Sequence, residues 1–213
     1  MLQVSEIFCS LQGESTFAGL PCVFVRLAGC NLDCGYCDTG YARRPEAGRP
    51  RAVEDILTEV AGFGFTLVEV TGGEPLLQAE TPELLQKLLD RDHTVLVETN
   101  GSLPIADLDP RLHLIVDIKT PGSGMADRFL AANLAALRPH HQVKFVLVDE
   151  NDFFWCRDFI RRHLAGHREI ILSPVTASLA ADRLAELILE NRLPVRLQLQ
   201  LHKLIWPGDE RGR

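Results

Sequence analysis

The sequence predicts an α/β fold: an incomplete (β/α) barrel of about six to seven mostly parallel strands, with residues 1–213 forming one domain. Three observations carry this expectation. Short apolar runs alternate with longer stretches whose apolar residues recur at helical spacing, the pattern of strand–helix–strand units with parallel pairing. At 213 residues the chain falls short of the about 250 that a closed eightfold barrel takes. The segments richest in Cys, Gly and polar residues follow the strands, at the edge where such folds bind ligands.

The elements follow in order. Val23–Leu27 reads as a strand. The region from about Gly29 to Pro50 is irregular, and a loop that long inside a compact domain is usually functional. Val53, Ile56, Leu57 and Val60 fall on one face of a helix. Leu67–Val70 is a strand. Pro82 behind Thr81, read as an N-cap, opens a helix that buries Leu84, Leu85, Leu88 and Leu89. Thr94–Val97 and Leu114–Val116 are strands, and Phe129–Leu137 reads as a helix. Val143–Val148 is a strand, Phe153–Leu164 a helix, Ile170–Leu172 a strand and Leu179–Leu189 a helix. Val195–Leu201, with its alternating pattern, closes the series.

Composition narrows the function classes. Hydrophobic residues make up 46% and charged residues 24%, ordinary for a globular protein. No apolar run approaches the roughly twenty residues of a membrane span. Met1–Glu6 lacks the pattern of a signal peptide, so a cytoplasmic location is expected. A net charge of −7 argues against a nucleic-acid partner. The six cysteines are not spaced as a disulfide framework: Cys30, Cys34 and Cys37 crowd together, while Cys9, Cys22 and Cys156 read as small buried residues. His140, His141, His163 and His167 read as surface positions, and Trp155 and Trp206 as packing residues.

Cys30, Cys34 and Cys37 form a Cys-x3-Cys-x2-Cys motif directly after the first strand. A structural zinc takes four protein ligands, and no fourth Cys or His lies at finger spacing. A 4Fe-4S cluster on three thiolates leaves one iron open to a small molecule. The cluster is therefore preferred, with a zinc-binding interaction module or buried free thiols as the alternatives. After the next strand comes Thr71-Gly72-Gly73-Glu74-Pro75. Its glycines let backbone approach a ligand, and Glu74 could accept bonds from an ammonium.

This pair of motifs resembles the radical S-adenosylmethionine superfamily, whose partial barrel matches the strand alternation across most of the chain. The resemblance implies that the open iron chelates S-adenosylmethionine and that one electron cleaves it to a 5′-deoxyadenosyl radical. The flanks narrow it. Leu11-Gln12-Gly13-Glu14, Cys37-Asp38-Thr39, Glu98-Thr99-Asn100-Gly101 and Leu201-His202-Lys203 are similar to the small homodimeric ring-contracting lyases of that superfamily. Those enzymes convert 6-carboxy-5,6,7,8-tetrahydropterin to 7-carboxy-7-deazaguanine and ammonia on the route to queuosine, with Mg2+ and an electron donor such as flavodoxin. An activator of a partner's glycyl radical is the alternative, disfavoured by the early Leu-Gln-Gly-Glu and the late His-Lys.

The resemblance also implies roles. Cys30, Cys34 and Cys37 would hold the cluster. Tyr36, Cys37, Asp38, Gly73, Asp117, Ile118, Lys119, Ser173, Pro174, Val175 and Thr176 would line S-adenosylmethionine, although Ser173-Pro174 also reads as a plain strand exit. Leu11, Gln12, Gly13, Arg26, Thr71, Glu98, His202 and Pro207 would contact the pterin. Arg26 offers its carboxylate a bidentate fork, with a strand-end salt bridge as the alternative. Glu98 stands against a solvated carboxylate. Thr39 would ligate Mg2+, and would otherwise be a turn residue or N-cap. The chain continues past Pro207 through Gly208 to Arg213, a departure that weakens the assignment of Pro207.

Overall fold

The fold is that of a computed structural model, which describes residues 1–208, 211 and 212. The tail beyond Pro207 therefore falls in part outside the described residues, at Asp209, Glu210 and Arg213.

The strands are β1 (Leu2–Leu11), β2 (Pro21–Leu27), β3 (Arg49–Arg51), β4 (Leu67–Gly72), β5 (Thr94–Thr99), β6 (His113–Asp117), β7 (Gln142–Leu147), β8 (Ile170–Pro174) and β9 (Arg196–Leu197). The helices are α1 (Val53–Gly62), α2 (Thr81–Leu89), α3 (Asn133–Ala136), α4 (Glu150–His163), α5 (Ala181–Glu190) and α6 (Leu201–Ile205). One sheet runs in the order β3-β1-β2-β4-β5-β6-β7-β8-β9. β1 pairs antiparallel with β2 and β3, and every pair from β2 to β9 is parallel. The sheet is thus an open α/β curve rather than a closed barrel. No helix among the described residues is long and apolar enough to cross a membrane.

The parallel strands β2 and β4 to β8 are mostly buried, with helices covering one side. Val25, Leu27, Val68, Val70, Val97, Val116, Phe145 and Leu172 meet Ile56 and Leu57 of α1, Leu84 and Leu88 of α2, Phe153 and Cys156 of α4 and Leu184 of α5 in one core. Each fully buried aliphatic or aromatic side chain there contributes about 1.5–3 kcal/mol. The open side of the curve is bridged by side chains. Gln198, next to β9, accepts from the Ser15 N–H at 2.5 Å and donates to the Ser15 carbonyl at 2.7 Å. Its amide thereby imitates a strand edge between the last strand and the β1–β2 turn.

Several sequence expectations need correction. β1 was not expected. Its residues Leu2–Leu11 are mostly half-buried, so their apolar signal is diluted, and their pairing with β2 fixes them as a strand. Phe129–Leu137 is helical only at Asn133–Ala136. Its backbone and side chains bond elsewhere: Leu130 N–H to Gly101 O at 3.0 Å, and Asn133 Nδ2 to Gly101 O at 2.9 Å and Leu103 O at 2.8 Å. Thr81 is the first residue of α2 rather than its cap, and its hydroxyl donates to Pro75 O at 2.6 Å. The alternating run at the end yields only Arg196–Leu197 as strand, and Leu201 begins α6. Cys9 is half-buried, unlike Cys22 and Cys156. His141 is buried, not on the surface, and its Nδ1 accepts from Arg138 N–H at 3.2 Å.

Candidate functional site

A cavity of about 880 Å³ opens at the C-terminal edge of the strands. The cysteine loop leaves β2 and closes one part of its wall. Cys30, Cys34 and Cys37 all line it, and none is in a disulfide. Cys30 Sγ accepts from the Leu32 N–H at 3.4 Å and from Asn100 Nδ2 at 3.9 Å. Such donors stabilise the negative sulfur of a metal thiolate. Burial raises the Cys34 and Cys37 thiols, so loading a cluster has to remove their protons. Among the described residues no three His, Cys, Asp or Glu side chains are gathered closely enough to hold a metal ion; the fit to an iron–sulfur cluster is one of donor chemistry, three free thiols on one cavity wall.

The Gly-Gly-Glu turn has a different task from the one its sequence suggests. Gly72 has φ 128°, a conformation that side chains resist, and a Cβ on Gly73 would strike the carbonyl of Gly29. Gly73 N–H donates to Leu27 O at 3.0 Å and Glu74 N–H to Gly29 O at 2.8 Å. The glycines therefore press the turn against the start of the cysteine loop and set that loop's origin, while both still line the cavity. Glu74 is fully buried and is not offered to a ligand. Its carboxylate accepts from Thr99 Oγ1 at 3.0 Å, Asn100 N–H at 2.7 Å and Leu76 N–H at 3.0 Å, tying the turn to the end of β5.

Strand alternation delivers the rest. Phe24 and Arg26 on β2, Glu69 and Thr71 on β4, Glu98 on β5, Ile115 and Asp117 on β6, and Lys144 and Val146 on β7 all face the cavity. Lys144 lies 2.5 Å from Glu14 Oε2 and 2.7 Å from Glu98 Oε1. Burial opposes its charge, but Glu14 and Glu98 hold its pKa well above the ordinary value. Burial also pushes Glu98 up, and the adjoining Lys144 outweighs it, so Glu98 stays ionised. Glu69 is raised to about 8, first by burial and then by the Glu98 charge. It accepts from Gln12 Nε2. Asp117 takes Lys119 Nζ at 2.6 Å and leaves its other oxygen, like the Ser173 hydroxyl, buried without a partner. The Asp117 oxygen, on a residue that lines the cavity, fits a polar ligand such as S-adenosylmethionine.

The predicted residues divide clearly. Leu11, Gln12, Gly13, Arg26, Thr71, Glu98, His202 and Pro207 all line the cavity, as do Tyr36, Asp38, Thr39, Gly73, Asp117, Lys119, Val175 and Thr176. Ile118, Ser173 and Pro174 do not: Ile118 is in the helix-facing core and the other two are buried in the strand. Arg26 makes the salt bridge of its alternative reading, its Nε donating to Glu6 Oε1 at 2.7 Å, and its side chain also lines the cavity. Glu98 is not a solvated carboxylate. Thr39 precedes a 3-10 turn without capping it, and its hydroxyl donates to Asp38 Oδ1 at 3.0 Å. Tyr36 donates to Val146 O at 3.4 Å. The chain ends meet at the mouth, where Leu201 N–H bonds Gly13 O at 3.0 Å and a side chain on Gly13 would collide with His202. Burial works against the Asp38 charge, but Lys203 at 2.8 Å pulls its carboxyl below the usual range.

Sequence reasoning missed Glu14, Glu69, Lys144 and Gln200. The signal for Glu69 and Lys144 was present: a lone charge within an apolar strand, between Val68 and Val70 or between Val143 and Phe145, marks a sheet face that is not core.

An open parallel curve with a three-cysteine loop and a cavity of mixed polar and apolar lining at its strand ends is the arrangement of a radical S-adenosylmethionine fold, and residues 25–120 match the Radical SAM superfamily. A 7-carboxy-7-deazaguanine synthase from Chlorobaculum tepidum is 50% identical over 215 residues, covering 99% of this chain and 97% of that protein. One from Koribacter versatilis is 40% identical over 227 residues, covering 99% and 100%. With relatives this similar over their whole length, the chain belongs to the 7-carboxy-7-deazaguanine synthase family. The crystal structure of QueE from Escherichia coli shares the fold, with a TM-score of 0.76, 24% identity and 94% coverage of both chains. These relatives give no support to the glycyl-radical alternative.

Proposed function

We propose that the chain converts 6-carboxy-5,6,7,8-tetrahydropterin to 7-carboxy-7-deazaguanine and ammonia, as a radical S-adenosylmethionine lyase on the route to queuosine. The carrying observation is one cavity lined both by the three thiols and by the polar side chains of Gln12, Arg26, Thr71 and Glu98. Cys30, Cys34 and Cys37 would hold the 4Fe-4S cluster, which when bound supplies the electron that cleaves S-adenosylmethionine. Tyr36, Asp38, Gly73, Asp117, Lys119, Val175 and Thr176 would surround the cofactor, and the unpartnered Asp117 oxygen offers it an acceptor. Ile118, Ser173 and Pro174 would act by shaping the strand ends. Arg26, held by Glu6, would meet the pterin carboxylate, and His202 and Pro207 would close over the ring. A homodimer, a flavodoxin-like donor and a cytoplasmic setting accompany this reading.

Thr39 would be the protein ligand to Mg2+, an ion that takes oxygen donors and keeps most of its waters; its hydroxyl and the Asp38 carboxylate are the oxygens at hand. After chelator treatment, Thr39→Ala should need more Mg2+ for half-maximal turnover or reach a lower maximum, and Thr39→Ser should keep much of the function. Superimposable Mg2+ titrations for wild type and Thr39→Ala would remove the residue from the metal site.

The test of the whole reading is anaerobic turnover of the carboxypterin by reconstituted protein, with mass detection. Formation of 7-carboxy-7-deazaguanine that requires S-adenosylmethionine and reductant is expected. Reductive cleavage of S-adenosylmethionine with no change to the pterin would overturn the substrate while leaving the cofactor chemistry standing.

A further inference from the structure

The cavity floor contains an expensive group. Lys144 sits in the middle of β7 and is 4% exposed. Taking an ammonium out of water is unfavourable unless its partners and geometry are good. Stability alone would be served by an apolar residue, such as its cavity-face neighbours Ile115 and Val146. The lysine instead bridges two carboxylates from separate parts of the chain: Glu14 in the β1–β2 turn at 2.5 Å and Glu98 on β5 at 2.7 Å. Each is tied onward to a further cavity residue. Glu98 Oε2 accepts from Thr71 Oγ1 at 3.3 Å, and Glu14 Oε1 accepts from Gln200 Nε2 at 2.7 Å. The Glu14 N–H donates to Gln12 Oε1 at 2.9 Å, which fixes the Gln12 amide from one side while Glu69 fixes it from the other.

We propose that Lys144 is a positioning residue for the pterin: it holds the Glu14 and Glu98 carboxylates at a set separation, as two prealigned acceptors for the N–H groups of the ring. The inference rests on the pterin reading above. An ionised carboxylate accepts only, and a reduced aminopyrimidinone is rich in donors. Without the ammonium, the two carboxylates repel; one swings away or takes up a proton, and either event spoils the pair. An arginine keeps the charge but brings a planar fork in place of a compact point, so it restores part of the arrangement.

The test measures binding of the carboxypterin and of S-adenosylmethionine separately, by calorimetry on reconstituted protein without reductant. It compares wild type, Lys144→Met, Lys144→Arg and the control Lys87→Met, a half-exposed lysine paired with Glu54 and Glu83 away from the cavity. Lys144→Met should bind the carboxypterin roughly tenfold or more weakly and raise its KM, with S-adenosylmethionine affinity unchanged. Lys144→Arg should recover part of the loss, and Lys87→Met should match wild type. Equal pterin affinity in wild type and Lys144→Met overturns the proposal. So does an equal loss for both ligands, which marks a role in folding only. If Lys144→Met is recovered unfolded, Lys144→Gln decides on the same terms, since it keeps a donor and loses the charge. Failure of wild type itself to bind the carboxypterin would overturn the pterin reading and this inference with it.

Discussion

On β4, Val68 and Val70 point beneath the helices, while Glu69 and Thr71, one residue away, face the cavity. The same alternation sets Val143 and Phe145 against Lys144 on β7, and Val116 against Asp117 on β6. One face of the sheet is thus continuous hydrocarbon and the other is studded with charge. The strands tolerate this because the two faces are energetically separate. Burial beneath the helices supplies the stabilisation, and the cavity face carries groups that no core would accept. The lesson is that stability and chemistry are divided here by residue parity rather than by domain or loop.

That division can be broken experimentally. The largest contrast is between two cysteines. Cys30→Ala, at the cavity, should abolish cluster assembly and turnover, whereas Cys156→Ala, in the helix-facing core, should keep iron content and turnover and lose only about 1 kcal/mol of stability. Iron and sulfide analysis beside a urea melt checks both, and wild-type iron in Cys30→Ala would sink the cluster assignment. Next is Phe145→Ala, which empties a fully buried site under α4 and should cost about 3–5 kcal/mol of stability while the folded fraction still binds S-adenosylmethionine. Arg26→Lys, on the cavity face, should do the reverse. Its melt should stay close to wild type, and carboxypterin affinity should fall by about 1.5–3 kcal/mol, because a point charge cannot replace the fork.

A pH titration tests the cavity face for its own stability cost. Glu69 has its folded pKa raised above the ordinary value to about 8. Folding therefore favours its protonated form, so its contribution is fully present below about 4.5 and is lost as pH rises through about 8. Glu69→Gln removes that titration. Between pH 5 and pH 8 the wild type should lose more stability than Glu69→Gln, read as the difference in urea midpoints. Parallel midpoints across that range would show that Glu69 is ionised throughout.

Most of the helix-facing architecture was legible because its signal is local: Val53, Ile56, Leu57 and Val60 announce α1 by spacing alone. What stayed hidden depended on partners far along the chain. β1 is a strand because β2 and β3 pair with it, and of residues 129–137 only 133–136 are helical, the Leu130 N–H bonding Gly101 O instead. For the site, the motif residues were legible where they form loops, as with Cys30, Cys34, Cys37 and Thr39. Glu74 was misjudged because sequence shows a carboxylate but not that Thr99 and Asn100 already occupy it. Lys144 and Glu69 escaped because a strand read as an apolar run conceals that alternate residues have different solvents.

The join at the mouth has a consequence for how the protein is born. Ser15 and Gln198, which clasp each other there, are 183 positions apart. A ribosome adding about 5–20 residues per second needs on the order of ten to forty seconds to travel that far. For most of that interval the cysteine loop has already been synthesised, yet the wall made by Gln200, His202 and Lys203 does not exist. The last part of the cavity wall is therefore added only when translation is nearly finished.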